Sequence, residues 1–170
     1  YGTAAPSYDS AHYKNIIQQL DMLLPGKGTV NDRMQQLANH FIIPKEKLDT
    51  VIKTAIAECR QRTLKHYQLP PTESFSLEFV NNKPWSGYNW YKGNYRSVIQ
   101  INTDLKIFID RVIDVGSHES YPGHHVYNML LEKNLYHDKG WVEVSFYPLY
   151  SPQSLIAEGS ANYGISLVLP

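Results

Sequence analysis

The residue types best suited to catalysis lie together in one octapeptide, His118–His125, which reads His-Glu-Ser-Tyr-Pro-Gly-His-His. In the common zinc-protease motif, two histidines lie four residues apart on a helix and bind the metal, while the glutamate after the first polarises water. Here the residue four positions after His118 is Pro122, and the next histidine is His124. The standard spacing is therefore absent, and another backbone geometry is needed to bring two imidazoles to one ion.

Two geometries would bring a second imidazole close to His118. Pro122 cannot donate to the carbonyl of that histidine and its ring crowds the turn, whereas Gly123 tolerates unusual dihedral angles. A bulge that absorbs two residues would place His124 at the missing ligand position. An unbroken helix would instead present His125, with the two Cα atoms about 10 Å apart, which is wide for Zn–N bonds of about 2.0–2.1 Å. We prefer His124 and keep His125 as the alternative.

Carboxylates supply the remaining groups that a catalytic zinc site needs. Such a site commonly has three protein ligands and one open position. Glu158 lies 34 residues after His124 among small and apolar residues, and a buried glutamate requires a cation. Glu119 falls on the apolar face of its predicted helix. The opposing interpretation is that the histidines cluster by chance and Pro122-Gly123 merely separates two helices.

The composition narrows the class of protein. The chain has 170 residues, about the length of one domain, and 42% apolar with 19% charged residues, which excludes a disordered tail or a fibre. Sixteen Lys and Arg balance sixteen Asp and Glu, so we expect no nucleic-acid partner. Apolar runs are too short for a membrane span, and the lone Cys59 cannot form an internal disulfide. The chain begins at Tyr1 rather than Met, and we interpret it as part of a longer protein whose remainder is an expected partner.

Hydrophobic periodicity predicts an α+β, mostly helical fold. Residues 1–70 are expected to form a helical part, with caps at Asp9 (or Ser7) and Thr29. Residues 71–170 are expected to form a zincin-like part, together one compact unit in which a small antiparallel or mixed sheet packs on the active-site helix. Alternating residues predict strands, and a further strand-like segment follows the motif helix; these segments are Ser74–Asn81, Tyr88–Tyr91, Arg96–Asn102 and Trp141–Tyr147.

The helix that carries the motif and the final helix have their own signals. Asn102-Thr103-Asp104 can cap the motif helix, and Ser151 followed by Pro152 begins the last one. Asp114, one turn before His118, is a candidate partner to orient that imidazole. Gly159 would let another backbone approach the last helix closely.

His-Glu-x-x-Pro-Gly-His-His, followed roughly thirty residues later by Glu-Gly-x-Ala-x-Tyr, resembles the bacterial domain-of-unknown-function family 885. Members of that family look like zinc-dependent peptidases of the gluzincin type. The resemblance covers approximately Tyr88–Pro170 and implies that His118, His124 and Glu158 bind zinc. It also implies that Glu119 is the general base and that Tyr163 lines the site as a second catalytic residue. Ser160 stands where the family often has Trp, and the chain ends before a later family block.

Three further residues are candidates for binding substrate. Zincins commonly hold an extended substrate against the edge of a small sheet, and Arg96–Asn102, which ends in Asn102, is a candidate for that strand. Tyr88 and Tyr91 would shape the cleft or stabilise an oxyanion. Ordinary sheet packing is the alternative role for each aromatic side chain.

The sequence thus predicts a zinc-dependent hydrolase of a peptide or related amide, with about one Zn²⁺ per chain and Glu119 acting on water. The alternative is a non-catalytic zincin-like module that binds a peptide or protein and is incomplete without further chain. Family resemblance implies a periplasmic or cell-surface location.

Overall fold

The computed structural model describes residue 4 and residues 6–169. The chain divides after Ile42 into two compact units. The predicted change from helices to strands near residue 70 therefore falls within the second unit. The reason is that the third helix, α3 (Leu48–Thr63), packs against α4 (Ile109–Glu119) and α6 (Pro152–Val168) of the second unit.

The first unit contains α1 (Ser10–Leu23) and α2 (Val30–Asn39), and both predicted caps are confirmed. The Asp9 carboxylate accepts from the backbone N–H of His12. Thr29 forms a capping box with Asp32, so two backbone donors that a helix start leaves free are satisfied. Arg33 is buried and donates to the backbone carbonyls of Asp21 and Leu24, which joins the end of α1 to α2.

The second unit combines helices with one small sheet. After a 3₁₀ turn at Lys45–Lys47 and α3, its elements are β1 (Ser74–Val80), β2 (Gly87–Gly93), β3 (Arg96–Asn102), α4, α5 (His124–Leu131), a π-helical turn at Glu132–His137, a 3₁₀ turn at Val142–Ser145, and α6. The predicted start of the last helix, with Ser151 as N-cap and Pro152 in its first turn, is confirmed. None of the helices among the described residues is both long and apolar enough to cross a bilayer.

The three predicted strands form a mixed sheet in the order β1-β3-β2. β1 runs parallel to β3, and β2 runs antiparallel to it. Ile99 and Ile101 on the central strand are buried and join a core with Ile52, Ile56 and Val112 of the helices. The predicted α+β, mostly helical class is confirmed. Arg96–Asn102, the predicted strand for holding a substrate at its edge, is the central strand β3 and is paired on both sides, so that prediction is wrong. β2 is left as an edge strand of the sheet.

Two local predictions are wrong. Trp141–Tyr147 is not a strand: Val142–Ser145 is a 3₁₀ turn, and Val142 and Phe146 are 66% and 73% exposed. Alternation there does not mark a buried face, because this segment joins no sheet. Asn102-Thr103-Asp104 does not cap α4, which begins at Ile109. Asn102 Oδ1 instead accepts from the backbone N–H of Asp104 in a turn.

A buried polar cluster lies in the second unit. The Glu73 side chain, only 2% exposed, accepts hydrogen bonds from Arg60, Tyr121 and His125. Since His125 Nε2 donates to this carboxylate, its Nδ1 accepts from Ser97 Oγ at 2.7 Å. Burial by itself would raise the pKa of Glu73, but the hydrogen bonds from His125, Tyr121 and Arg60 outweigh it and lower that pKa to about 2.

We expect Glu73→Gln to remove part of the acid sensitivity of folding. The folded pKa of Glu73 lies below the ordinary value of 4.5, so its stabilising contribution is present above about pH 4.5 and is lost as the pH falls toward 2. At about 1.4 kcal/mol per pKa unit, the wild-type unfolding free energy should fall by about 2–3 kcal/mol over that range from this group alone. Urea unfolding followed by circular dichroism between pH 2 and 7 measures it.

Glu46→Gln is the matched control, because it removes an exposed carboxylate from the 3₁₀ turn at Lys45–Lys47. It should leave the decline in stability at acid pH in place. An equally steep decline in Glu73→Gln would show that the Glu73 carboxylate is not its source.

Candidate metal centre

The histidine motif folds as two helices whose ends meet closely. α4 ends at Glu119 and α5 begins at His124. The backbone N–H of Gly123 donates to the carbonyl of Ser117 at 3.0 Å. A Cβ atom on Gly123 would lie 1.8 Å from the carbonyl oxygen of His118, so only glycine fits here. The sequence analysis predicted a bulge within one helix, whereas the structure has a break between two helices. Because the chain turns back closely on the end of α4, His124 lies beside it.

This return brings two imidazoles and one carboxylate together. The rings of His118 and His124 have centroids 4.6 Å apart and are nearly perpendicular. Their Nε2 atoms each lie 3.3 Å from a different carboxylate oxygen of Glu158. The three candidate ligand atoms all lie within 4.8 Å of one another. The expectation that Glu158 is buried is wrong, because its side chain is 56% exposed; its case as a ligand depends on its position beside the two imidazoles. His125, the alternative second ligand, is fully buried and faces Glu73 and Ser97 instead.

α6 reaches this position because it packs against the break between the two helices. A Cβ atom on Gly164 would lie 2.9 Å from Cγ of Pro122, so a side chain there would push α6 away. The predicted close approach at Gly159 is wrong, since nothing lies within 4 Å of a Cβ placed on it. Gly164, and not Gly159, is therefore the glycine that lets another segment approach α6 closely.

An orienting partner for His118 comes from α6 as well. Its Nδ1 lies 3.2 Å from Oδ1 of Asn162, an acceptor, so Nδ1 carries the proton and Nε2 is free to bind a metal. Asp114, the predicted partner, is paired with Arg111 instead. The sequence analysis missed Asn162, although its spacing of four residues from Glu158 places both on one face of a helix.

Glu119 lies beside these residues in a mostly buried position. Its side chain is packed against the start of β2: a Cβ atom on Gly87 would lie 3.4 Å from Glu119 Oε1. Asn89 Nδ2 donates to the Glu119 backbone carbonyl at 2.7 Å and holds the end of α4 against β2. Burial, and then the nearby Glu158 carboxylate, raise the pKa of Glu119 to about 8, against an opposing hydrogen bond from the backbone of Asn89. Without a cation, Glu119 is therefore protonated at neutral pH.

The chemistry of the three groups suits a divalent ion. Burial, and then the proximity of His118, lower the pKa of His124 despite the opposing effect of Glu158, which favours the neutral imidazole that metals bind. Tetrahedral zinc with bonds of about 2.0–2.1 Å holds its donor atoms about 3.3 Å apart. Each imidazole Nε2 lies at that distance from one Glu158 oxygen, but the two oxygens differ, and the three candidate donor atoms as a set lie within the wider limit of 4.8 Å. Two nitrogens and one oxygen are also a donor set found in catalytic zinc sites. The residues present fit zinc.

The centre opens into a cleft of about 440 Å³ along β2. Two of the predicted substrate-binding residues, Tyr88 and Tyr91, line it together with Asn128 and Tyr147. Asn102 does not: it is buried, donates to the carbonyl of Lys83, and borders a separate cavity.

Tyr163 is not brought to the cleft either. It is 64% exposed and lies on α6, five residues beyond Glu158. At about 100° per residue, that spacing turns it about 140° away from Glu158 around the helix axis. The matching tyrosine of the second sequence block therefore does not line the site in this structure.

Comparison with known proteins shows the fold alone. No family model matches the chain, and no curated protein matches it. A solved structure described as "the putative lipoprotein from Colwellia psychrerythraea" is similar, with a TM-score of 0.70 and 19% sequence identity. The match covers 93% of this chain but 29% of that one. This chain therefore shares its fold with part of a much longer bacterial protein.

Gly123→Ala should disrupt the metal centre, because its methyl group cannot coexist with the carbonyl oxygen of His118. Loss of an orienting partner alone costs about 10–100-fold in metal affinity, so displacement of His124 should weaken zinc binding by more than about 100-fold. Isothermal titration with zinc measures the change.

Gly159→Ala is a demanding control for that experiment. It makes the same substitution next to Glu158, but the added methyl group meets no neighbouring atom within 4 Å. Zinc affinity should stay at the wild-type value, and circular dichroism should show folded protein for both variants. Equal affinities for the two variants would contradict the role of Gly123.

Proposed function

We propose that this protein is a zinc-dependent hydrolase that cleaves peptides or related amides. The observation that carries the proposal is the convergence of His118, His124 and Glu158 beside the buried Glu119, at the base of one cleft. If the two histidines and Glu158 formed only an ion pair at the surface, Glu119 would not be needed beside them. A hydrolase does need it, because water must lose a proton as it attacks and the leaving amine must gain one.

Glu119 performs the proton transfer in this proposal. When bound, zinc supplies Lewis-acid catalysis, polarising the substrate carbonyl and acidifying water. A positive charge at the centre also opposes the two causes that raise the pKa of Glu119. The ionised carboxylate then takes a proton from the attacking water and delivers it to the amide nitrogen as the C–N bond breaks. Asn162 keeps His118 in the tautomer that leaves Nε2 free.

An extended peptide is the substrate shape that the cleft favours. Residues 87–91 of the edge strand β2 form one wall. Among the described residues, β3 is the only strand beside β2, so the backbone groups on its other edge can pair with a substrate backbone. Tyr88 and Tyr91 then lie beside the substrate, as the sequence analysis predicted.

Membership of family 885 is part of the same proposal. Its support is the order and spacing of the motif residues. An extracytoplasmic location is proposed as well, since the protein of similar fold from Colwellia psychrerythraea is described as a putative lipoprotein.

Metal analysis combined with an activity assay tests the function. Purified wild-type protein should bind about one zinc per chain. His118→Ala, His124→Ala and Glu158→Ala should each lose the metal, because three ligands are the usual minimum for catalytic zinc. Glu119→Gln should keep the metal but lose about 10²–10⁴-fold in peptide hydrolysis, the typical contribution of a general base.

His125→Gln is the control for the choice of ligand, because it changes the adjacent imidazole that faces away from the centre. It should retain zinc. Undiminished hydrolysis by Glu119→Gln would remove the assigned base. Full zinc occupancy without hydrolysis of any peptide by the wild type would favour the non-catalytic binding module.

A further inference from the structure

We propose that the cleft continues into a second pocket that selects a bulky, uncharged aromatic side chain of the substrate. This inference rests on the proposed peptide-binding role of the cleft. We call the region the distal pocket; it is lined chiefly by Tyr91, Asn128, Leu131, Tyr136, Val144 and Tyr147.

The distal pocket adjoins the cleft at the candidate metal centre and shares part of its lining. Tyr91, Asn128 and Tyr147 line both spaces. The distal pocket has a volume of about 550 Å³, compared with about 440 Å³ for the cleft. A ligand at the metal centre can therefore extend past these three side chains into the distal pocket.

The distance between the two spaces suits a substrate chain. Asn128 lies one helical turn beyond His124 on α5, and Leu131 lies about two turns beyond it. At about 1.5 Å per helical residue, the distal pocket begins about 6–10 Å from His124 along α5. An extended peptide advances about 3.3 Å per residue. The side chain that enters the distal pocket therefore belongs to a residue two or three positions from the reacting amide.

The walls of the distal pocket match an aromatic side chain. Tyr91, Tyr136 and Tyr147 present three rings, and Leu131 and Val144 add aliphatic surface. Aromatic pairs gain stabilisation beyond the area they bury. Asn128 provides an amide that can hydrogen-bond a phenol hydroxyl, so tyrosine as well as phenylalanine fits.

Glu132 is the one carboxylate that lines the distal pocket, and both of its oxygens already accept hydrogen bonds. Glu132 Oε1 accepts from the backbone N–H of Asn94 and from His137 Nε2, at 2.9 and 3.1 Å. Its Oε2 accepts from Tyr91 Oη and the backbone N–H of Tyr95. With four donors on its two oxygens, Glu132 has little capacity left for a lysine or arginine of the substrate. The distal pocket therefore offers a cationic side chain no free carboxylate acceptor, and we expect it to gain no preference for lysine from Glu132.

The same four hydrogen bonds make the distal pocket rigid. Two of them join the turn between β2 and β3 to the π-helical turn that follows α5, a third joins Tyr91 of β2 to it, and the fourth, from His137, lies within the π-helical turn. Tyr91 and His137 are held in place by Glu132, so their rings are positioned before any ligand arrives. A preformed wall reduces the ordering cost of binding.

Peptide binding by zinc-loaded Glu119→Gln protein tests the proposal without turnover. The probes are acetylated hexapeptide amides of alanine in which one residue at a time is replaced by Phe, Tyr or Lys. Isothermal titration should show that Phe or Tyr at one position binds at least about tenfold more tightly than Ala, as expected for burial of an aromatic side chain. Lys at that position should bind no better than Ala.

Val144→Trp, made in the same background, should fill the distal pocket and reduce the aromatic preference to within about twofold of alanine. Ser145→Trp, at a more exposed lining residue, is a second filling variant should the first fail to fold. Val142→Trp is the matched control, since Val142 lies in the same 3₁₀ turn but is 66% exposed and does not line the distal pocket. It should keep the preference.

The outcomes separate this inference from the proposed function. The proposed role of the distal pocket would be contradicted by any one of four results. These are equal affinity for Phe and Ala peptides, a preference for Lys, no binding of any peptide, or an unchanged preference in the folded filling variants. An aromatic preference that the filling variants abolish would support it. That result would stand even if the wild-type protein hydrolysed none of these peptides, an outcome that would instead count against the hydrolase.

Discussion

The close contact between the Gly123 backbone and the carbonyl of His118 is the constraint on which the site depends. Without a side chain at this residue, the chain can turn back on α4 and start α5 within the same few ångströms. His124 then lies beside His118, which no regular helix would allow with a spacing of six residues. Gly164 allows a second close contact of this kind, between α6 and Pro122, and that contact brings Glu158 to the two imidazoles.

Two buried carboxylates near the motif show how environment sets the role of the same functional group. Glu73 accepts hydrogen bonds from three side chains and remains an anion down to low pH. It holds His125 through Nε2, which fixes the start of α5 from behind. Glu119 has only a hydrogen bond from the Asn89 backbone to oppose burial and the nearby Glu158, which together raise its pKa to about 8. One acid therefore maintains the structure, and the other can exchange a proton.

The sheet and the helices each contribute a different part of the cleft. β2 contributes a wall of aromatic and amide residues and an edge that β3 does not occupy. α5 carries His124 at its first residue and Asn128 one turn later, so the candidate metal centre and the distal pocket follow one helix. Glu132 joins the two elements at the far end through backbone and side-chain hydrogen bonds.

The sequence by itself determined most elements, because caps, periodicity and proline positions are local signals: Thr29, Ser151 and the alternation of β1 and β3 all predicted what forms. It also indicated His118, Glu119, His124 and Glu158 as the candidate site residues. Only the tertiary structure showed that His124, and not His125, lies beside His118 and Glu158. It also placed Asn162 rather than Asp114 against His118, and Tyr88 and Tyr91 but not Asn102 or Tyr163 along the cleft. These choices depend on which helices touch and at what distance, and contacts between residues far apart in the chain leave no periodic pattern in a single sequence.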